Sequence, residues 1–193
     1  MAECSSVCES LHLPVQSGSN RILRAMRRGY TREAYLEKLQ AVRRLVPDIA
    51  LTTDIIVGFP GETDEDFEQT ARLMREVAYD GAYLFKYSPR PGTDAAARED
   101  DVPPEVKEQR HHTLLSLQKE IEVTLLQRFV GRTFEVLIEG PGKKTGQLFG
   151  RTRGNYGVIL EGPQTWIGQI QPVDIHAVRA HTLFGATVSE AMR

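Results

Sequence analysis

Residues 54–63 read Asp54-Ile55-Ile56-Val57-Gly58-Phe59-Pro60-Gly61-Glu62-Thr63. The β-branched apolar run favours a strand, and its continuity fits a strand buried within a parallel sheet. The run stops abruptly at Gly58-Phe59-Pro60-Gly61. Thr63 then precedes Asp64, Glu65 and Asp66, a helix N-cap followed by carboxylates at the positive end of the helix dipole. A strand that hands a loop directly to a helix is the unit of α/β folds, which bind ligands at the carboxyl ends of their strands. Asp54 sharpens this reading, because a carboxylate inside a strand core is costly unless something pairs with it.

The flanking sequence repeats the unit. Residues 11–16 read as a short strand that breaks into Ser17-Gly18-Ser19. A helix over residues 20–28 follows, ended by Gly29 and carrying Ile22, Leu23 and Met26 on one face. Thr31 is the expected N-cap of the next helix, in which Tyr35, Leu36, Leu39, Val42 and Val46 recur at helical spacing. Residues 49–59 form the second strand, residues 82–87 the third, and Ser88-Pro89-Arg90-Pro91-Gly92-Thr93 a stiff loop. The alternation of strands and helices predicts a parallel sheet with right-handed crossovers. Three strands cannot close a barrel, so the expected fold class is α/β, the C-terminal half of a partial (β/α) barrel, and the other half is expected to precede residue 1.

After a polar linker, Pro104 opens a long amphipathic helix that reaches about residue 129. The texture changes at Gly131. Short alternating segments at residues 134–138, 147–151, 156–160, 167–175 and 182–188, separated by Gly-rich turns, predict a small all-β barrel of OB-like size. The expected division is residues 1–128 and 129–193. Residues 129–193 hold 7 Lys and Arg against 5 Asp and Glu, whereas the whole chain carries a formal charge of −2. The second segment is therefore mildly basic on an acidic chain. Its basic residues gather in two turns, Lys143-Lys144 and Arg151-Thr152-Arg153. The sequence has no apolar run of the roughly 18 residues a membrane helix needs and no basic, apolar leader at its start, so the expected compartment is the cytoplasm.

Three segments, residues 11–19 (Leu-His-Leu-Pro-Val-Gln-Ser-Gly-Ser), 54–63 and 87–93 (Tyr-Ser-Pro-Arg-Pro-Gly-Thr), occur in this order and spacing. Together they resemble the radical S-adenosylmethionine (SAM) methylthiotransferases, the tRNA-modifying type above all. Residues 129–193 resemble the TRAM domain of that family, an RNA-binding β-barrel. The resemblance implies an enzyme that adds a 2-methylthio group to N(6)-isopentenyladenosine beside the tRNA anticodon. It implies SAM and 4Fe–4S clusters as cofactors, one cluster held by a C-x3-C-x2-C motif. The partners implied are the tRNA anticodon stem-loop and the N-terminal, cluster-bearing domains. A threonylcarbamoyladenosine or ribosomal-protein methylthiotransferase, or a stand-alone RNA-binding protein with a degenerate SAM half barrel, are the alternatives.

The resemblance also implies site residues. Gln16 matches a SAM-contacting glutamine, with a loop-capping amide as the other reading. Arg28 matches the arginine that pairs with the SAM carboxylate, for which a planar fork is suited, and Arg27 beside it is a rival. Asp54 matches the acid that accepts from the ribose hydroxyls. Ile56, Gly58 and Phe59 would give an apolar wall and a close backbone approach for the adenine. Arg90, between two prolines, would meet a phosphate or the SAM carboxylate. Lys143, Lys144, Arg151 and Arg153 would hold RNA phosphates. Phe134, Phe149, Tyr156 and Trp166 supply the barrel's aromatics, most of them expected in its core.

One departure stands out. Cys4 and Cys8 have C-x3-C spacing, but position 11, where the third ligand would fall, is Leu11. Two cysteines are too few for a cluster that takes three or four thiolates. The chain therefore reads as the C-terminal part of such an enzyme, and a C-x3-C-x2-C motif is expected upstream of Met1.

Overall fold

In the computed structural model the described residues are 3–188. They fall into two compact units, Leu11–Glu122, and Met1–Ser10 together with Val123–Arg193.

The first unit is built on a three-stranded sheet of order β1 (Ser10–His12), β2 (Ala50–Val57), β3 (Gly81–Lys86). β2 and β3 run parallel, with Asp54 beside Tyr83 and Ile56 beside Phe85. The expected strand at residues 11–16 is shorter. Pro14 interrupts it, and pairing resumes only as a parallel bridge between Gln16 and Ile55. Helices α1 (Asn20–Ala25), α2 (Arg32–Leu45), α3 (Asp64–Val77) and α4 (Pro104–Leu126) complete the α/β alternation. Along β2, burial alternates. Leu51, Ile55 and Val57 join Tyr35 and Leu39 of α2, Met74 and Val77 of α3 and Leu114 of α4 in one apolar core. Thr52, Asp54 and Ile56 turn to the other, half-exposed face, as do Tyr83 and Phe85, which are 61% and 50% exposed. Asp54 thus lies on the open face of the sheet, not in a strand core.

Local sequence explains the helix starts. Thr31 accepts from Ala34 N, and Thr63 and Asp66 form a reciprocal capping box at α3. The end of α1 differs from the expectation. The helix stops at Ala25 and does not run on to Gly29, and Arg27, at φ 55°, makes the left-handed turn. The amide of Arg28 donates back to Leu23 O at 2.9 Å, closing the turn.

The second unit is a closed five-stranded barrel, order β4 (Thr133–Pro141), β5 (Gln147–Thr152), β6 (Gly157–Glu161), β8 (Thr182–Thr187), β7 (Ile170–Arg179). All five expected strands are present, with ends shifted by a few residues. The barrel is filled by Val136, Ile138, Leu148, Val158, Leu160, Val173, Ile175 and Leu183, with Leu126 and Phe129 joining them. Among the described residues, no helix is long and apolar enough to cross a membrane.

Candidate functional site

The open face of the sheet leads into a cleft of about 830 Å³ over the carboxyl-terminal parts of β2 and β3. Gln16, Arg28, Asp54, Ile56, Phe59 and Arg90 all line it, brought together from four separate segments of sequence.

Gln16 is held in an unusual conformation. Its φ is 70°, a region that costs a non-glycine residue about 1–3 kcal/mol and persists only when its surroundings impose it. Here they do. Its N–H donates to Asp54 O at 2.8 Å, and its carbonyl accepts from Ile56 N at 2.9 Å. The residue is buried, yet it lines the cleft.

Asp54 is 28% exposed at its side chain, and His12 Nε2 lies 3.4 Å from its Oδ1. His12 is itself fixed by Thr52 Oγ1 at 2.9 Å and by an edge contact with the Tyr83 ring. Asp54 lines the cleft.

Both candidate arginines line the cleft and differ in their partners. Arg27 is paired with Asp94 of the segment after β3. Arg28 lines the cleft, is exposed, and has no such partner among the described residues. Phe59 is buried, with Tyr87 edge-on at 5.2 Å and the Arg98 guanidinium 6.0 Å from its centroid.

Gly58 needs a correction. It does not line the cleft. Its φ is +70°, and a Cβ there would run into the Lys107 side chain. What approaches Gly58 closely is therefore Lys107 of α4, which spans to Asp100. Sequence proximity could not reveal a neighbour 49 positions away.

The loop at residues 58–63 is held from several sides. Gly58 N donates to Glu62 Oε2 at 2.7 Å, and Arg110 Nη1 donates to the same oxygen at 2.8 Å. Gly61 N donates to Asp101, and Arg21 donates to Gly61 O and to both oxygens of Asp66. Burial alone would raise the Asp66 carboxyl. The bonds from Arg21, Ser19 and Thr63 overcome this and hold it well below the usual carboxylate range. For Glu62 burial prevails over Gly58 and Arg110, and its carboxyl is pushed up. Asp66 was legible only as a helix-start acid, and its role as the hub of this loop was not.

On the barrel, Lys143 and Lys144 are exposed in the β4–β5 turn. Arg151 and Arg153 are committed to other groups. Arg151 donates through Nε to Glu139 at 3.0 Å and through Nη1 to Asn155 at 2.9 Å. Arg153 binds both oxygens of Glu9 and the carbonyls of Ser5 and Val7. Its charge ties down the N-terminal segment, a pairing 144 residues apart in sequence. Cys4 and Cys8 in that segment are free, exposed thiols. Among the described residues no group of three or more His, Cys, Asp or Glu is placed to hold a metal ion. Two thiols do not meet the three-thiolate requirement of a radical SAM cluster, so this chain's residues do not fit that group.

Residues 1–74 match the Radical SAM superfamily and residues 127–188 match the TRAM domain. Over nearly its whole length the chain resembles the tRNA-2-methylthio-N(6)-dimethylallyladenosine synthases. It is 46% identical to that of Methylacidiphilum infernorum over 186 residues, covering 96% of this chain and 40% of the relative. It is 50% identical to that of Parabacteroides distasonis over 192 residues, covering 98% and 42%. The chain thus spans about two fifths of the length of these curated relatives. A solved structure of coproporphyrinogen III oxidase from Escherichia coli, a radical SAM enzyme, shares the fold at a TM-score of 0.51 and 17% identity, over 75% of this chain and 41% of that one.

Proposed function

We propose that this chain is the SAM-binding and RNA-binding part of a tRNA methylthiotransferase that places a 2-methylthio group on N(6)-isopentenyladenosine next to the anticodon. Residues 1–128 are the end of the radical SAM core with its linking helix, and residues 129–193 the TRAM barrel. The complete enzyme works in the cytoplasm and adds N-terminal domains that carry its 4Fe–4S clusters. The observation that carries this reading is the convergence of Gln16, Arg28, Asp54, Ile56 and Phe59 on one cleft.

In that cleft Asp54 accepts from the ribose hydroxyls and Arg28 pairs with the methionyl carboxylate. Gln16 presents its amide, its direction set by the constrained backbone. Ile56 and Phe59 flank the adenine and exclude water from it. Arg90 lies at the rim, where it meets the carboxylate or an RNA phosphate. Bound SAM supplies the methyl group and the radical initiator of the reaction.

Two measurements test this. Calorimetry should detect SAM binding to the 193-residue chain. Asp54→Asn should weaken it by about 1–3 kcal/mol, the scale of hydrogen bonds to a charged group, with the melting temperature nearly unchanged because Asn is close to isosteric. Unchanged affinity with a collapsed melting temperature would make Asp54 a structural residue and reject the reading. Anaerobic reconstitution of the chain with iron and sulfide should leave no stoichiometric cluster. A 4Fe–4S chromophore at one per chain would mean that Cys4 and Cys8 act as ligands after all.

A further inference from the structure

The barrel's outward face carries a feature that phosphate binding does not use. Along β5, Leu148, Gly150 and Thr152 are buried while Gln147, Phe149 and Arg151 point outward. Phe134, Tyr156 and Trp166 pack against the barrel core, and Phe149 does not. Phe149 pairs across to Ile159 of β6, and Ile159 to Phe184 of β8. Cross-strand partners share a face, and strands lie about 4.8 Å apart. The exterior of β5, β6 and β8 therefore carries a band of two aromatic rings about 10 Å apart with Ile159 between them.

Each ring bears an arginine. The Arg151 guanidinium lies 5.6 Å from the Phe149 centroid, and that of Arg179 lies 5.3 Å from the Phe184 centroid. Arg151 is fixed by Glu139 and Asn155, which occupy its Nε and Nη1 donors. Those two bonds fix the plane of the guanidinium beside the Phe149 ring, so Arg151 offers a ligand a flat face as well as its Nη2 edge. A planar cation laid on an aromatic ring is a stacking surface for a nucleobase. Such a surface needs a base out of its helix, because a paired base shows only its edges. Lys143 and Lys144 stand in the turn that leads into β5, at a position to meet the backbone phosphates of the same strand.

Building on the reading of the barrel as RNA-binding, we propose that the Phe149–Arg151 and Phe184–Arg179 pairs form two stacking positions for unpaired bases, so that the barrel selects single-stranded loops of RNA over duplex. Lys143 and Lys144 supply the salt-dependent attraction. Arg153 takes no part, because Glu9 and the Ser5 and Val7 carbonyls hold it.

The test is fluorescence titration of the whole 193-residue chain with three RNAs: a stem-loop with a fluorescent adenine analogue in its loop, the same stem as a blunt duplex, and an unstructured single strand. The stem-loop and the single strand should bind about tenfold or more tighter than the duplex, with quenching of the loop fluorophore. Phe149→Leu keeps an apolar side chain on the strand and should lower stem-loop affinity about tenfold without changing its salt slope. Arg151→Lys keeps the charge, removes the plane, and should weaken binding and quenching together. Lys143→Gln with Lys144→Gln should instead reduce the salt slope. Duplex binding as tight as the stem-loop, or wild-type affinity and quenching in both Phe149→Leu and Arg151→Lys, would overturn the stacking proposal and leave the barrel an RNA binder. No binding of any RNA by the wild-type chain would overturn the RNA-binding reading itself, and the stacking positions with it.

Discussion

Gly18→Ala is expected to destabilise the first unit by about 3 kcal/mol, the upper range for forcing one extra methyl into a packed site. A Cβ on Gly18 would lie 2.5 Å from the Gln69 carbonyl oxygen and 2.6 Å from Thr70 Cα. Both are main-chain atoms inside α3, so no flexible side chain can move aside. The loop cannot retreat cheaply either, because Gly18 N donates to Thr70 Oγ1 at 2.9 Å and Ser17 Oγ lies within reach of the same hydroxyl. Relief would push residues 17–19 outward and drag Gln16 from its two main-chain bonds with β2. Gly29→Ala is the control, since nothing lies within 4 Å of its Cβ position. It should change stability by less than about 0.5 kcal/mol. Urea unfolding followed by helical circular dichroism reports on this unit, which holds most of the helix. Equal midpoints for the two variants would mean that the contact with α3 is not the reason for Gly18.

Much of this architecture is local chemistry and could be read from the chain. The caps at Thr31 and Thr63, the strand ending at Gly58 and the opening of α4 at Pro104 depend on residues within a few positions of one another. The five barrel strands are legible for the same reason. Asp54, Ile56 and Arg28 are candidates by resemblance, and the cleft lining holds them together with Gln16, Phe59 and Arg90.

The rest depends on partners far apart in sequence. Gly58 reads as a ligand-approach glycine until Lys107 is found against it. Arg153 reads as a free turn cation until Glu9 is found on it. Leu148 and Phe149 are adjacent and both apolar, so alternation alone does not say which faces out. Gly150 and Thr152 follow Leu148 inward, and that small-residue register is the signal that could have turned Phe149 outward. Arg27 entering the left-handed region ahead of Gly29 has a different cause. The turn is fixed by the Arg28 amide reaching Leu23 O, not by the identity of the residue that bends.

The second large effect is expected at Asp66. Asp66→Asn removes the charge that Ser19, Arg21 and Thr63 converge on, leaves at most one good acceptor for several donors, and should cost about 2–3 kcal/mol at neutral pH, the scale of losing charge-assisted hydrogen bonds in a buried position. The pH dependence identifies the cause. Because the folded-state carboxyl titrates below its unfolded value, its contribution is fully present above about pH 4 and is lost as pH falls further toward the folded value. The stability gap between the wild-type chain and Asp66→Asn should therefore be constant from neutral pH to about pH 5 and shrink below about pH 4. Glu62 acts with the opposite sign, since burial raises its carboxyl and protonation favours the fold. Its shift comes chiefly from burial, which both proteins share, and only in smaller part from the Asp66 charge, so most of it cancels in the difference. Denaturant midpoints across this pH range measure the gap directly. A gap that stays constant down to about pH 2 would show that Asp66 matters for its shape and neutral hydrogen bonds, and that the Arg21 pairing contributes little. A shrinking gap would establish that the loop carrying Phe59 is fastened by an ionised carboxylate, which ties the shape of the cleft wall to the charge of a residue that does not touch the cleft.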